Sequence, residues 1–105
     1  MSIQFIATIR VRHNDLDAFS QQLGWLSQQI AKNDGWEMLV CSWQSPSPSP
    51  NDTEVVHVWD TPCDNAMAAR AAFNQILQTL DSERVSQAMA TMASQRFLFV
   101  EKKVY

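Results

Sequence analysis

Residues Ile3 to Arg12 alternate without interruption, with Ile3, Phe5, Ala7, Ile9 and Val11 in one phase and Gln4, Ile6, Thr8, Arg10 and Arg12 in the other. A strand has a side-chain period of two, so this predicts a β-strand with one wholly apolar face. The period then changes. Leu16, Phe19, Leu23, Leu26 and Ile30 recur at three and four residues, the stripe of an amphipathic helix. Asn14 is its expected cap, Asp15 and Asp17 place negative charge in its first turn, and Lys32 suits its negative end. Asn33-Asp34-Gly35 supplies a left-handed stop.

A second strand is predicted over Trp36 to Gln44, with Trp36, Met38 and Val40 on one side and Glu37, Leu39, Cys41 and Trp43 on the other. Residues 45–53 hold the Ser-Pro repeats. Each proline lacks a donor N–H and biases the residue before it to extended geometry, so the segment reads as an exposed, fairly stiff hairpin loop. Glu54 to Trp59 is the third strand. Thr61-Pro62-Cys63-Asp64 announces a helix, with Thr61 as cap and Pro62 at its first position. Its stripe is Ala66, Ala69, Phe73, Ile76, Leu77 and Leu80. Asp81-Ser82 offers a break and a new cap, and Val85, Ala88, Met89 and Met92 continue as a shorter helix, with the last two methionines and Met67 read as core filler. The final strand is Arg96 to Val104.

The order βαββααβ is that of an α+β, ferredoxin-like domain over residues 1–105, with an antiparallel four-stranded sheet and the second crossover helix broken in two. All helices of such a domain lie on one sheet face. If Val56 and Val58 join the apolar phase of the first strand beneath the helices, the open face presents Ile6, Thr8, Arg10, Leu39, Cys41, Trp43, Val55, His57 and Trp59. That is more apolar surface than a lone soluble domain leaves in water as one patch. A homodimer packed sheet against sheet, enclosing a cavity for a small-molecule ligand, is the expected remedy.

Composition narrows the partners. Of 105 residues 46% are hydrophobic and 18% charged, the make-up of a globular domain with one core, and 8 Lys and Arg against 11 Asp and Glu give a net charge of -3. This balance argues against nucleic acid or an anionic membrane as partner. No window approaches the ~18 apolar residues of a membrane span, and no basic segment precedes an apolar run at the N-terminus, so a cytoplasmic location is expected. Cys41 and Cys63 form no C-x-x-C pair and are expected as two buried or half-buried thiols. His13 and His57 stand far apart with no His-x-His or carboxylate cluster, so neither a metal nor a cofactor is expected.

His57 and Trp59, two apart on a strand, share a face and place a titratable group beside a flat aromatic wall. Arg10 should share that face. In the active reading His57 is a catalytic base or hydrogen-bond donor and Arg10 holds an acidic or enolate oxygen. Trp43 and Trp59 stack on the ligand, with Thr8 lining the same pocket. In the structural reading His57 is an interface histidine with its hydrogen bonds satisfied and Arg10 pairs with Glu37 or Glu54.

Gly35-Trp36-Glu37-Met38-Leu39-Val40-Cys41-Ser42-Trp43, then Val55-Val56-His57-Val58-Trp59, and Ala68-Ala69-Arg70-Ala71-Ala72 in the next helix, resemble the NIPSNAP family of the dimeric α+β barrel superfamily. The resemblance implies a ferredoxin-like protomer and a homodimeric barrel, with His57 and Trp59 as its pocket positions. Taken with the His57, Arg10 and tryptophan face, the expected function is that of a small dimeric protein binding a small aromatic or acidic ligand in the barrel cavity. The alternative is a cofactor-independent monooxygenase or isomerase acting on a small aromatic substrate.

Overall fold

The computed structural model describes residues 3–44 and 51–101. Strand β1 (Ile3–Arg12) leads through a 3-10 turn at His13–Asp15 into α1 (Leu16–Ala31), followed by β2 (Glu37–Gln44), β3 (Asp52–Asp60), α2 (Ala66–Gln78), α3 (Ser82–Ala90) and β4 (Ser94–Glu101). The four strands form one antiparallel sheet in the order β2-β3-β1-β4. This is the α+β, ferredoxin-like arrangement, with the two long-range pairings of β1 at its centre. The shortest dimension, 18 Å, corresponds to one sheet carrying one layer of helices.

The apolar phase of β1 lies under the helices as its alternation requires. Ile3, Phe5, Ala7, Ile9 and Val11 are all buried, and all but Ile3 join one core with Phe19, Leu23, Leu26 and Ile30 of α1 and Phe73 and Ile76 of α2. Phe5 is the hub, its ring centroid 4.4 Å from Phe73, 4.9 Å from Phe99, 5.5 Å from Phe97 and 6.3 Å from Trp36. Gly35 ends the α1–β2 turn at φ +85°, and a Cβ there would stand 2.5 Å from the Pro62 Cβ, so both conformation and space demand glycine. The Asn33 side-chain amide donates to the carbonyls of Gln29 and Ile30, closing α1.

Several local expectations change. Asn14 lies in the 3-10 turn and Asp15 precedes α1 without a side-chain cap. Thr61 does not cap α2, because the helix begins only at Ala66; its hydroxyl accepts from the Cys63 N–H at 3.3 Å and donates to the Ile3 carbonyl at 2.8 Å, tying the end of β3 to the start of β1. Asn65 takes over as the cap, its side chain accepting from the Ala68 N–H at 2.8 Å. The cap at Asp81 is present, accepting from the Arg84 N–H at 3.1 Å. Met67 is on the surface at 82% exposure rather than in the core. The Ser-Pro segment at 45–50 and Val104 lie outside the described residues, and β3 begins at Asp52, two residues earlier than expected.

The largest correction concerns the faces of β3. Register pairs Phe5 with Trp59, Ala7 with His57 and Ile9 with Val55, and antiparallel partners share a face. Val55, His57 and Trp59 therefore lie beneath the helices, at 0%, 4% and 3% exposure, while Val56 and Val58 are on the open side. Both phases of this strand are apolar, so hydropathy alone does not orient it. Charge does: Asp52, Glu54 and Asp60 are in phase with Val56 and Val58, and that phase is the wetter one. A bulge between Met38 and Val40 in β2 then brings Cys41 and Trp43 to the helix side, opposite His57 and Val55. The open face keeps Ile6, Thr8 and Arg10 from the expected set, while Cys41, Trp43, Val55, His57 and Trp59 lie on the helix side. Val40, Val58, Ile6 and Leu98 stand in register across all four strands as one apolar row, with Val56 and Val100 beside it.

Candidate functional site

The row beneath the helices that holds His57 runs Cys41–His57–Ala7–Phe97. Ala7 is the small residue at the centre of the central strand, flanked by Phe5 and Ile9. The space it leaves becomes a cavity of about 30 Å³, walled by Phe5, Ile9, Trp59, Phe73 and Phe97, with Leu23, Leu26, Ser27 and Ile30 of α1 and Met89 and Met92 above. Such a volume holds about one water. The roof is adaptable, because methionine is unbranched with three rotatable bonds. Among the lining residues His57 is the one that titrates, and the Ser27 hydroxyl is its polar counterpart on the helix side.

Burial of the imidazole among these apolar walls lowers its pKa from 6.5, because the charged form loses its hydration. His57 is thus neutral near pH 7 and able to accept a proton. Its Nε2 lies 3.0 Å from the Cys41 Sγ, and the Trp43 indole N–H donates to the same sulfur at 3.2 Å. Trp43 is held in turn by an edge contact with Phe19, ring centroids 5.6 Å apart.

The depressed pKa couples to stability. The unfolded imidazole takes its proton near 6.5 and the folded one only at lower pH, so between those values the unfolded chain binds more protons. The His57 contribution is complete above pH 6.5 and is lost as pH falls toward the folded value. Urea midpoints measured from pH 7.5 to 5 should fall more steeply for the native protein than for His57→Gln. Parallel curves would show that His57 does not titrate differently on unfolding.

The sequence-derived site residues divide between the two sides of the sheet. His57, Trp59 and Trp43 are together on the helix side. Arg10 and Thr8 are on the open side, in register with Glu54 and Val56, because they belong to the opposite phase of β1. They cannot meet a ligand held beneath His57, and the shared pocket expected of Arg10 and His57 does not form. Cys41 is exposed rather than buried, because β2 is an edge strand, and Cys63 is half-buried, both as free thiols. Sequence reasoning passed over Ala7, Ser27 and Cys41 as parts of this site. Ala7 and Ser27 carried a usable signal, as a small residue within an otherwise bulky strand phase and a polar residue beside the α1 stripe. Among the described residues no three His, Cys, Asp or Glu side chains converge as metal ligands, and no helix is long and apolar enough to cross a membrane.

No protein-family model matches the chain, and no curated protein matches it in sequence. Several solved structures share its fold. A conserved protein from Methanosarcina mazei superposes with a TM-score of 0.61 at 13% identity, over 98% of this chain and 94% of that one. A protein of the antibiotic biosynthesis monooxygenase class from Caulobacter crescentus gives 0.60 at 15% identity, over 98% and 91%. A mutant of SnoaB, a cofactor-independent oxygenase from Streptomyces nogalater, gives 0.60 at 11% identity, over 99% and 95%. At these identities the likeness is one of fold.

Proposed function

We propose that this chain is a cofactor-independent oxygenase acting on a small, flat, hydroxylated aromatic held in the cleft beneath His57. The observation that carries the reading is a buried, neutral imidazole as the titratable group of a lining made mostly of aromatic and aliphatic side chains. The monooxygenase-class fold neighbours, SnoaB among them, support it. Phe5, Trp59, Phe73 and Phe97 offer ring faces and edges to a planar substrate. Admission of that substrate requires Met89 and Met92 to swing aside, since the resting cavity of about 30 Å³ is far below the few hundred Å³ of an occupied ligand site.

In this reading His57 takes a proton from the substrate, and the apolar surroundings strengthen the attraction between the resulting imidazolium and the substrate anion. The electron-rich anion itself reduces dioxygen. A C–O bond forms, the O–O bond breaks, one oxygen stays on carbon as a carbonyl, and the other leaves as water with the two hydrogens removed from the substrate. Oxygen consumption by the pure protein with quinol-like naphthalene and anthracene derivatives tests the idea. Uptake above the buffer rate should fall on the order of a hundredfold in His57→Gln, the usual contribution of a general base. Unchanged uptake in that variant would overturn the role of His57.

A second reading, a NIPSNAP-like ligand-binding protein without turnover, is favoured by the way β2 and β3 bring the two tryptophan-bearing segments together at Cys41 and His57. Saturable binding of the same aromatics with no oxygen uptake would select it. In either case a second copy of this chain is the proposed occupant of the open sheet face, where Val40, Val58, Ile6 and Leu98 would otherwise face water.

A further inference from the structure

Cys41 is exposed at the sheet edge, yet its sulfur stands 3.0 Å from a ring nitrogen of a histidine that is only 4% exposed. The indole N–H of Trp43 already donates to that sulfur at 3.2 Å, so the thiol's own hydrogen is free to point at Nε2 of His57. A thiol within hydrogen-bond reach of a neutral base, with a second donor aimed at the sulfur, is the arrangement of an assisted nucleophile. The indole N–H is placed to stabilise the negative charge that develops on sulfur as its proton leaves. Cys63 has no such surroundings among the described residues. Its carbonyl accepts from the Ile3 N–H, and its own N–H donates to the Thr61 hydroxyl, so the contacts it makes are through the main chain.

We propose that Cys41 is a base-assisted nucleophilic thiol that captures α,β-unsaturated carbonyl compounds, quinones included, with His57 as the proton acceptor and Trp43 as the donor to sulfur. The thiol proton passes to Nε2, and sulfur bonds to the β-carbon. The C=C π pair shifts to give an enolate, which takes the proton back from the imidazolium. A thioether results with no net oxidation or reduction. The face of β2 that carries the sulfur is open to solvent at Cys41 and Trp43, so an electrophile reaches it without entering the cleft. A neutral imidazole exchanges its proton between Nδ1 and Nε2, so one ring serves the cleft from one tautomer and the thiol from the other. The thiol chemistry does not depend on turnover in the cleft.

Limiting N-ethylmaleimide at pH 7 tests this directly, with the rates at Cys41 and Cys63 read by mass spectrometry of the two cysteine peptides. A synthetic peptide spanning residues 37–44 serves as the unfolded reference. Cys41 in the folded protein should react on the order of tenfold faster than the same cysteine in the peptide, as base assistance requires. His57→Gln should remove that advantage and leave Cys63 unchanged. Trp43→Phe keeps the ring against Phe19 but removes the N–H, and should slow Cys41 several-fold, which preserves the test if the His57 variant folds poorly. Reaction of Cys41 at or below the peptide rate, or an advantage that survives loss of either partner, would overturn the proposal.

Discussion

Phe5→Ala should cost about 3–5 kcal/mol, the range for removing a fully buried aromatic from a packed core. Since a domain of this size has about 5–15 kcal/mol in total, that is a large share of its stability. The expectation is specific to this residue. Phe5 is 3% exposed at the centre of the sheet, and four aromatic rings meet its own, from β4, from α2 and from Trp36 at the entry to β2. Its removal leaves a void that none of them can fill without giving up contacts with the others. The void would also open into the cleft beneath His57. Urea unfolding followed by tryptophan fluorescence measures the loss. A cost below 1 kcal/mol would mean that the aromatic cluster does not hold β1 to the helices.

Val58→Asp should dissociate the proposed dimer while leaving each protomer folded. Val58 is half-buried in the middle of the open-face row, between Ile6 and Val40. One substitution places a carboxylate in each copy, and a two-fold axis brings the pair close. Like charges meeting at an interface cost several kcal/mol, which corresponds to a Kd raised on the order of a hundredfold or more. Light scattering over a dilution series gives the mass, and far-UV circular dichroism reports whether the protomer keeps its structure. A native protein that is a single protomer at micromolar concentration would remove the second copy from the open face.

The element order and the burial of β1 and α1 were legible because each carries one period and one apolar phase. β1 has the same bounds in the structure as in its alternation. β3 was legible as a strand but not as to its facing, since Val55, His57 and Trp59 compete with Val56 and Val58 and only the flanking acids distinguish the two phases. In β2 the bulge inserts a residue that no hydropathy pattern announces, and it reverses the side on which Cys41 and Trp43 stand. The site suffered most from this. His57 and Trp59 were identified as a pair but assigned to the wrong side of the sheet, and with them went the partnership with Arg10. The contact between His57 and Cys41 joins residues 16 apart in sequence through the register of β2 on β3, information that neither segment carries alone.

That a ligand belongs between the sheet and its helices is the claim on which the function rests. Methyl NMR spectra of the protein titrated with a dihydroxynaphthalene under nitrogen test it most directly. Saturable shifts are expected at Ile9, Leu23, Leu26, Ile30, Met89 and Met92, which line the cleft. Shifts confined instead to Ile6, Val40, Val56, Val58 and Leu98 would place the ligand on the other side of the sheet and contradict the account.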